Sequence, residues 1–249
     1  MKLTTEQRLR YARHLSLDVI GEKGQQRLLE GRVLLVGAGG LGSPIALYLA
    51  AAGVGTLGIV DADTVDASNL QRQVLYTTAD VGQPKVLVAK ERLQALNPDV
   101  HVVPHTMWFT SDNAKTLISD YDFVIDATDN FRSKFLIADS CHRNATSYSH
   151  AGINESFGQT LTVIPGQSAC YRCIFGSPPA GNNTLRGPLG VLPGIIGSVQ
   201  ANEAIKFLTG GGELLTNRLF TFDALSSAAR TIPVTPNPAC SLCGDTASA

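Results

Sequence analysis

Between positions 33 and 60 the chain carries no charged residue, and its apolar positions fall into short runs separated by glycine. Residues 33–36 form a β-branched and leucine run that predicts a strand. Residues 45–52 read as a buried helix, and residues 56–60 as a second strand that ends at Asp61. A hydropathy window alone would score this stretch as a membrane span. Seven glycines and Pro44 interrupt it, however, and strands of a parallel sheet covered on both faces are uncharged for a reason unrelated to lipid.

The pattern continues on both sides of this stretch. Thr4 or Thr5 is placed to cap an opening helix with Glu6 in its first turn and Arg8, Arg10 and Arg13 along it. A second helical segment covers 24–29, and a longer one covers 85–96 before Asn97-Pro98 stops it. Residues 100–104 and 123–125 read as short strands, the latter running into Asp126-Ala127-Thr128-Asp129-Asn130. Strands alternating with helices predict a parallel sheet with right-handed crossovers. After about Ser149 the character changes. Residues 159–164 alternate like an antiparallel strand, 195–208 form a helix ended by Gly210, and 218–222 and 229–234 read as closing strands. Residues 176–190, rich in glycine, proline and asparagine, make a loop too long for a plain connector. No internal repeat is present. The expected fold is α/β, a Rossmann-like, mostly parallel sheet with helices on both faces, extended by antiparallel strands and a clipped C-terminal segment. Residues 1–249 are expected to form a single domain, with N-terminal helices over 1–30, a nucleotide-binding half over 31–148 and a second half over 149–249.

Composition changes this picture little. Apolar residues make up 44 % and charged residues 16 % of 249, with a formal net charge of −1. No basic excess points to nucleic acid and no charged block to a membrane surface. The first residues, with Glu6, Arg8 and Arg10, lack the apolar core of a signal peptide, so a cytoplasmic location is expected. The five cysteines matter more. Cys170-x-x-Cys173 and Cys240-x-x-Cys243 form two matched pairs, a spacing that in a reducing compartment predicts one tetrahedral zinc ion rather than disulfides. Four thiolates leave no open position for substrate, so the ion is structural. Cys141 beside His142 is not a nucleophile–base pair, because neighbours on a helix do not face each other; it reads as a buried small hydrophobe.

Gly37, Gly39 and Gly42 have the spacing of a dinucleotide turn between strand and helix, and Asp61 at the next strand end is placed to bind a ribose. The turn leaves NAD and ATP open. Downstream, Asn69-Leu70-Gln71-Arg72-Gln73 and Gly82-Gln83-Pro84-Lys85 supply two cations suited to a triphosphate and its pyrophosphate leaving group. Asp129 is a candidate magnesium ligand. Hydride transfer needs neither feature, so the set favours ATP over an NAD-linked oxidoreductase.

Gly37-Ala38-Gly39-Gly40-Leu41-Gly42, Ser68-Asn69-Leu70-Gln71-Arg72-Gln73, Gly82-Gln83-Pro84-Lys85 and Thr128-Asp129-Asn130 together resemble the MoeB/ThiF/HesA family of adenylyltransferases, bacterial relatives of the ubiquitin-activating enzymes. The similarity extends from Arg10-Tyr11-Ala12-Arg13-His14 to Cys240-Ser241-Leu242-Cys243. It implies a homodimer that adenylylates the C-terminal glycine of a small ubiquitin-fold sulfur-carrier protein ending in Gly-Gly, for molybdopterin, thiamin or another thio-product. On that resemblance Gly40 and Asp61 contact nucleotide, and Asn69, Arg72 and Lys85 the phosphates. Asp129 binds magnesium, with Ser68, Leu70, Gln71 and Asn130 flanking, and Arg13 reaches the triphosphate of the neighbouring subunit. The second half, 149–249, becomes the carrier-binding, zinc-clipped half, and the 176–190 loop is expected to cover a threaded carrier tail. ThiF-like members place a cysteine in that loop. Here counting back from Gly194-Ile195-Ile196-Gly197 puts Asn183 at its position, and Asn183 cannot act as a thiolate. Adenylylation without an enzyme-bound thioester or acyl-persulfide is therefore expected, with sulfur brought by a separate donor such as a cysteine desulfurase or rhodanese. The same chemistry on a peptide or small acid is the alternative.

Overall fold

The side chain of Thr4 accepts from the Gln7 N–H at 3.2 Å while the Gln7 side chain accepts from the Thr4 N–H at 3.1 Å, a reciprocal cap that starts the first helix. The computed structural model describes residues 2–178 and 187–244. Three helices, α1 (Thr5–Arg10), α2 (Ala12–Leu15) and α3 (Gly21–Glu30), precede the first strand.

The described residues place eight strands in one sheet. The strands are β1 (Arg32–Val36), β2 (Thr56–Val60), β3 (His101–His105), β4 (Phe123–Asp126), β5 (Ser147–Asn154), β6 (Phe157–Val163), β7 (Arg218–Asp223) and β8 (Ala228–Pro233). Their order is β3-β2-β1-β4-β5-β6-β7-β8. β1 to β5 are parallel, and β6 to β8 add antiparallel neighbours. Alternation along β1 divides its side chains between two cores. Val33 and Leu35 pack with α3, α4 (Gly42–Ala52), α5 (Lys85–Leu96) and α9 (Leu192–Thr209). Leu34 and Val36 pack on the other face with α6 (Ser111–Ser119), α7 (Phe131–Arg143) and α8 (Tyr171–Phe175). Both faces being covered explains why 33–60 needs no charge. No helix among the described residues is long and apolar enough to cross a membrane.

The elements read from the sequence recur with ends moved by a few residues. α4 and α9 begin three residues earlier than read, the latter with a proline in its first turn, where the missing N–H is harmless. β5, α6 and α8 were not foreseen, and α7 was glimpsed only around Cys141. β5 was hidden because its buried side chains include Ser147, Ser149 and His150, which break the apolar signature of an interior strand. Consequently the change of character assigned to Ser149 falls inside β5. The sheet turns antiparallel after Asn154, where β5 pairs with β6.

Glu203 fastens α9 to the antiparallel half. Its side chain is 1 % exposed; one carboxylate oxygen accepts from the Thr162 hydroxyl at 2.6 Å and the Leu215 N–H at 2.7 Å, and the other pairs with Lys206. Removing this buried charge leaves the Thr162 hydroxyl and the Leu215 N–H unpaired, while Lys206 keeps the Glu213 carbonyl. Glu203→Ala is expected to cost about 3 kcal/mol, read as a lowered urea midpoint with an unchanged slope. A midpoint within error of the parent would show that the tie carries no stability.

Candidate functional site

β2 and β3 lie on one side of β1, and β4 and β5 on the other. At such a reversal the connections leave to opposite faces and open a crevice beyond the strands' C-terminal ends. A cleft of about 550 Å³ lies there. Gly37 turns the chain out of β1 with φ +101°, and a Cβ on it would stand 2.7 Å from the Ala127 carbonyl oxygen. A Cβ on Gly42 would strike the Gly37 carbonyl. The two glycines therefore let the loop fold flat onto the start of α4, whose first N–H groups and dipole suit phosphate. Tyr76 donates to the Ala38 carbonyl at 2.8 Å and holds the loop from behind.

Asp61 lines this cleft. One carboxylate oxygen accepts from the Ala38 N–H and the other from the Asp63 N–H, both at 2.8 Å. Burial lifts its pKa above the ordinary carboxylate value, against the opposing pull of those two N–H groups and Lys85. Lys85, 5 % exposed, is held by Asp63 at 3.0 Å. Arg72 donates to the Ser68 carbonyl at 3.3 Å. Both cations line the cleft with Gly37, Gly39, Gly40 and Asn69. Asp129 and Asn130 line it from the β4 side, Asp129 being exposed and Asn130 capping α7 through the Ser133 N–H at 2.9 Å.

Other expected site residues stand outside the lining. Gly42 heads α4, where its role is the close approach to Gly37. Ser68 is turned away, its N–H and hydroxyl both donating to Asp66. Leu70 packs against the core, and Gln71 meets Gly190, where a Cβ would collide with the Gln71 carbonyl. Arg13 is exposed on α2, away from the cleft. Asn183 and the centre of the 176–190 loop lie outside the described residues.

Beneath the cleft lies a polar cluster that the sequence reading missed: Asp126 at the end of β4, His150 beside it on β5, and Lys134 on α7. Asp126 is 1 % exposed. Burial alone would raise its pKa, but the Lys134 ammonium at 3.3 Å, His150 at 2.8 Å and the Thr128 hydroxyl at 2.6 Å outweigh that and bring it down to about 2. Lys134 also donates to the Thr128 carbonyl at 2.6 Å and the Ala151 carbonyl at 2.5 Å, binding the β4 turn to β5. Burial pushes His150 below the usual histidine range, so its ring is neutral. A short polar turn, Asp126-Ala127-Thr128, followed by a lysine in the next helix was the available signal.

The four paired cysteines meet. Their sulfurs lie within 4.8 Å of one another, with Cys170–Cys240 at 3.5 Å, Cys170–Cys173 at 3.7 Å and Cys173–Cys243 at 3.3 Å. A tetrahedral zinc–thiolate site needs edges of about 3.8 Å, so the set fits a closed ion with little adjustment. The N–H of Asn237 points to the Cys173 sulfur at 3.3 Å and that of Leu242 to the Cys240 sulfur at 3.5 Å, an arrangement that favours thiolates. Cys141 is fully buried among apolar side chains, and burial raises its thiol.

The ThiF family model matches residues 11–242. A sulfur carrier protein adenylyltransferase of Thermus thermophilus is 44 % identical over 254 aligned positions, covering 98 % of this chain and 94 % of that protein. A SAMP-activating enzyme E1 of Haloferax volcanii is 43 % identical, covering 98 % of this chain and 92 % of its own length. Among solved structures, E. coli MccB with MccA-N7isoAsn superposes with a TM-score of 0.84 at 23 % identity, over 98 % of this chain and 76 % of that one, a likeness of fold.

Two outcomes follow from this geometry. The Asp126 carboxylate is ordinary at 3.8 and depressed to about 2 in the fold, so its contribution is present above pH 4 and lost as pH falls from 4 through 2. Roughly 2 kcal/mol of stability is expected to disappear over that window, and Asp126→Asn should flatten this part of the stability–pH curve; parallel curves would refute the assignment. Purified protein should also carry one zinc per chain. Cys240→Ser is expected to lose the metal and lower the melting temperature; full metal content in that variant would exclude the four-sulfur site.

Proposed function

The chain belongs to the ThiF family, and on that premise we propose that it adenylylates the C-terminal glycine carboxylate of a small ubiquitin-fold sulfur-carrier protein with ATP, releasing pyrophosphate. One observation carries this reading: Asp61, Arg72, Lys85 and Asp129 all face one cleft over a glycine turn at a helix N-terminus. On this reading Asp61 binds the ribose, Arg72 and Lys85 the phosphates, and Asp129 magnesium. A bound magnesium ion supplies neutralisation of phosphate charge; Asp129 is the carboxylate that would hold it.

The attacking carboxylate is ionised at neutral pH, so no general base is needed. Rate comes from alignment with the α-phosphorus and from cations placed where charge develops. Lys85 is suited to this because Asp63 and its buried stem fix its ammonium before nucleotide arrives. The carrier tail is read as entering from the β5–β6 side, where Ile153, Phe157 and Gln159 line the cleft. Among the described residues no thiol is left to attack the acyl-adenylate: Cys141 is sealed in the core and the other four meet one another. This supports sulfur delivery by a separate donor such as a cysteine desulfurase or rhodanese. A homodimer, in which Arg13 crosses to the partner's triphosphate, a cytoplasmic setting and one domain spanning 1–249 belong to the same reading.

Magnesium-dependent ATP–pyrophosphate exchange is expected only when a carrier ending in Gly-Gly is supplied. Exchange driven by a short peptide or small acid instead would move the substrate class. Lys85→Ala and Arg72→Ala should each lower exchange about 10²–10³-fold with unchanged circular dichroism; wild-type rates in either would remove it from the phosphate site.

A further inference from the structure

Adenylyl transfer as described leaves one buried group at the cleft without a task. His150 is 2 % exposed and sits level with Asp126 across the β4–β5 pairing. Asp126 is an ionised acceptor, engaged by Lys134 and by the Thr128 N–H at 3.0 Å and hydroxyl at 2.6 Å. Its contact with His150 Nδ1 at 2.8 Å therefore requires Nδ1 to carry the proton. Nε2 of the neutral ring is then a bare lone pair. It is buried and has no partner among the described residues, while the ring lines the cleft. Tyr171 and Phe175 of α8 pack on the ring at 4.4 and 5.6 Å and fix its plane. Next but one on the strand stands Gly152, which sets no side chain over Nε2; a Cβ there would stand in ordinary contact with it at 3.8 Å.

A buried acceptor without a partner, on a ring that lines the cleft, calls for a donor on the occupant. The nucleotide is badly placed to provide it. Asp61 follows β2 and His150 lies on β5, three strand spacings away, roughly 14 Å at about 4.8 Å each. A nucleotide anchored by its ribose at Asp61 spends that span on its phosphates. The acid approaches from the β5–β6 side, and an extended glycine-ended tail presents backbone N–H donors without side chains to block them.

We propose that His150 Nε2 accepts a hydrogen bond from one backbone N–H of the substrate's C-terminal segment and so sets the register of the tail against the α-phosphorus, with Asp126 fixing the tautomer. This rests on the reading of the cleft as a tail-binding adenylylation site. No proton is transferred; His150 is a substrate-binding residue that acts as a neutral acceptor.

The test pairs substrate and enzyme changes. Semisynthetic Gly-Gly carriers are made in which each of the last four amide N–H groups in turn is replaced by an ester oxygen. Exchange is measured with the parent enzyme and with His150→Asn, whose side-chain amide can keep the bond to Asp126 but lacks the Nε2 acceptor. One ester is expected to lower kcat/KM about five- to tenfold with the parent enzyme. The same ester should cost nothing further with His150→Asn, and ATP affinity should be unchanged. Equal losses in both enzymes, or no ester effect beyond twofold with the parent, would overturn the proposal. So would weakened ATP binding in His150→Asn with the ester series unaltered, which would assign the acceptor to the nucleotide, and so would water alone filling the position. The parent-only ester series decides the matter if His150→Asn does not fold. If the all-amide carrier drives no exchange, the adenylylation reading fails at its own control; anisotropy titrations of labelled amide and ester tail peptides then decide the hydrogen bond separately.

Discussion

The loop leaving β1 and the turn leaving β4 pass so close that a side chain on Gly37 would stand within 2.7 Å of the Ala127 carbonyl. The rest of the cleft depends on that approach. With Gly37 in a left-handed conformation, the chain enters α4 without rising above the sheet, and the helix N-terminus opens directly at the reversal between β1 and β4. Asp61 and Tyr76 then hold Ala38 from two sides, so the glycine loop is shaped before any ligand arrives. The carboxylate assigned to the ribose thus also holds the loop in place. Substituting it would change the shape of the glycine loop as well as remove a contact.

Legibility in the sequence followed the physics of each signal. Strands buried on both faces announce themselves as uncharged runs, and β1, β2 and β4 were readable for that reason. The glycine turn was readable because steric exclusion leaves few substitutes for glycine at 37 and 42. The cations at 72 and 85 were legible as a set, and the structure brings both to the cleft. Ser68, Leu70 and Gln71 belong to the same motif, yet they serve the turn and its packing, since consecutive residues of a short loop cannot all face one ligand. The polar cluster was illegible because its members are distant in sequence and of types that normally mark surface. Lys134 in a helix and His150 next to Ser149 look solvated until β4, β5 and α7 are assembled.

The cysteine cluster is tied to the cleft more closely than a remote clip would be. α8 is only five residues long, too short to persist by its own hydrogen bonds. Cys170 precedes it and Cys173 lies within it, so the sulfur cluster determines where this turn sits. Tyr171 and Phe175 project from that turn onto His150 and Phe135, with the Phe135–Tyr171 rings edge-on at 4.7 Å. An ion held by four sulfurs would therefore pin the ring that presents Nε2. A structural metal can in this way govern substrate register without touching substrate.

The two ends of the cleft differ in their electrostatics. At the β1–β2 end, a lysine and an arginine face a loop of free N–H groups, suited to a polyanion. At the β4–β5 end, the Lys134 ammonium is engaged by Asp126 and by two carbonyls, so among the described residues this end offers the cleft the Asp129 carboxylate and the neutral His150 ring, and no free cation. A free cation there would attract the tail's carboxylate to itself rather than let it reach the α-phosphorus. A neutral lone pair engages the amide upstream and leaves the carboxylate free. On the proposed reading, the burial of Asp126 with Lys134 and His150 turns three ionisable residues into a site without net pull on the reacting group, and the position of the carboxylate is then set by the tail's length beyond one hydrogen bond.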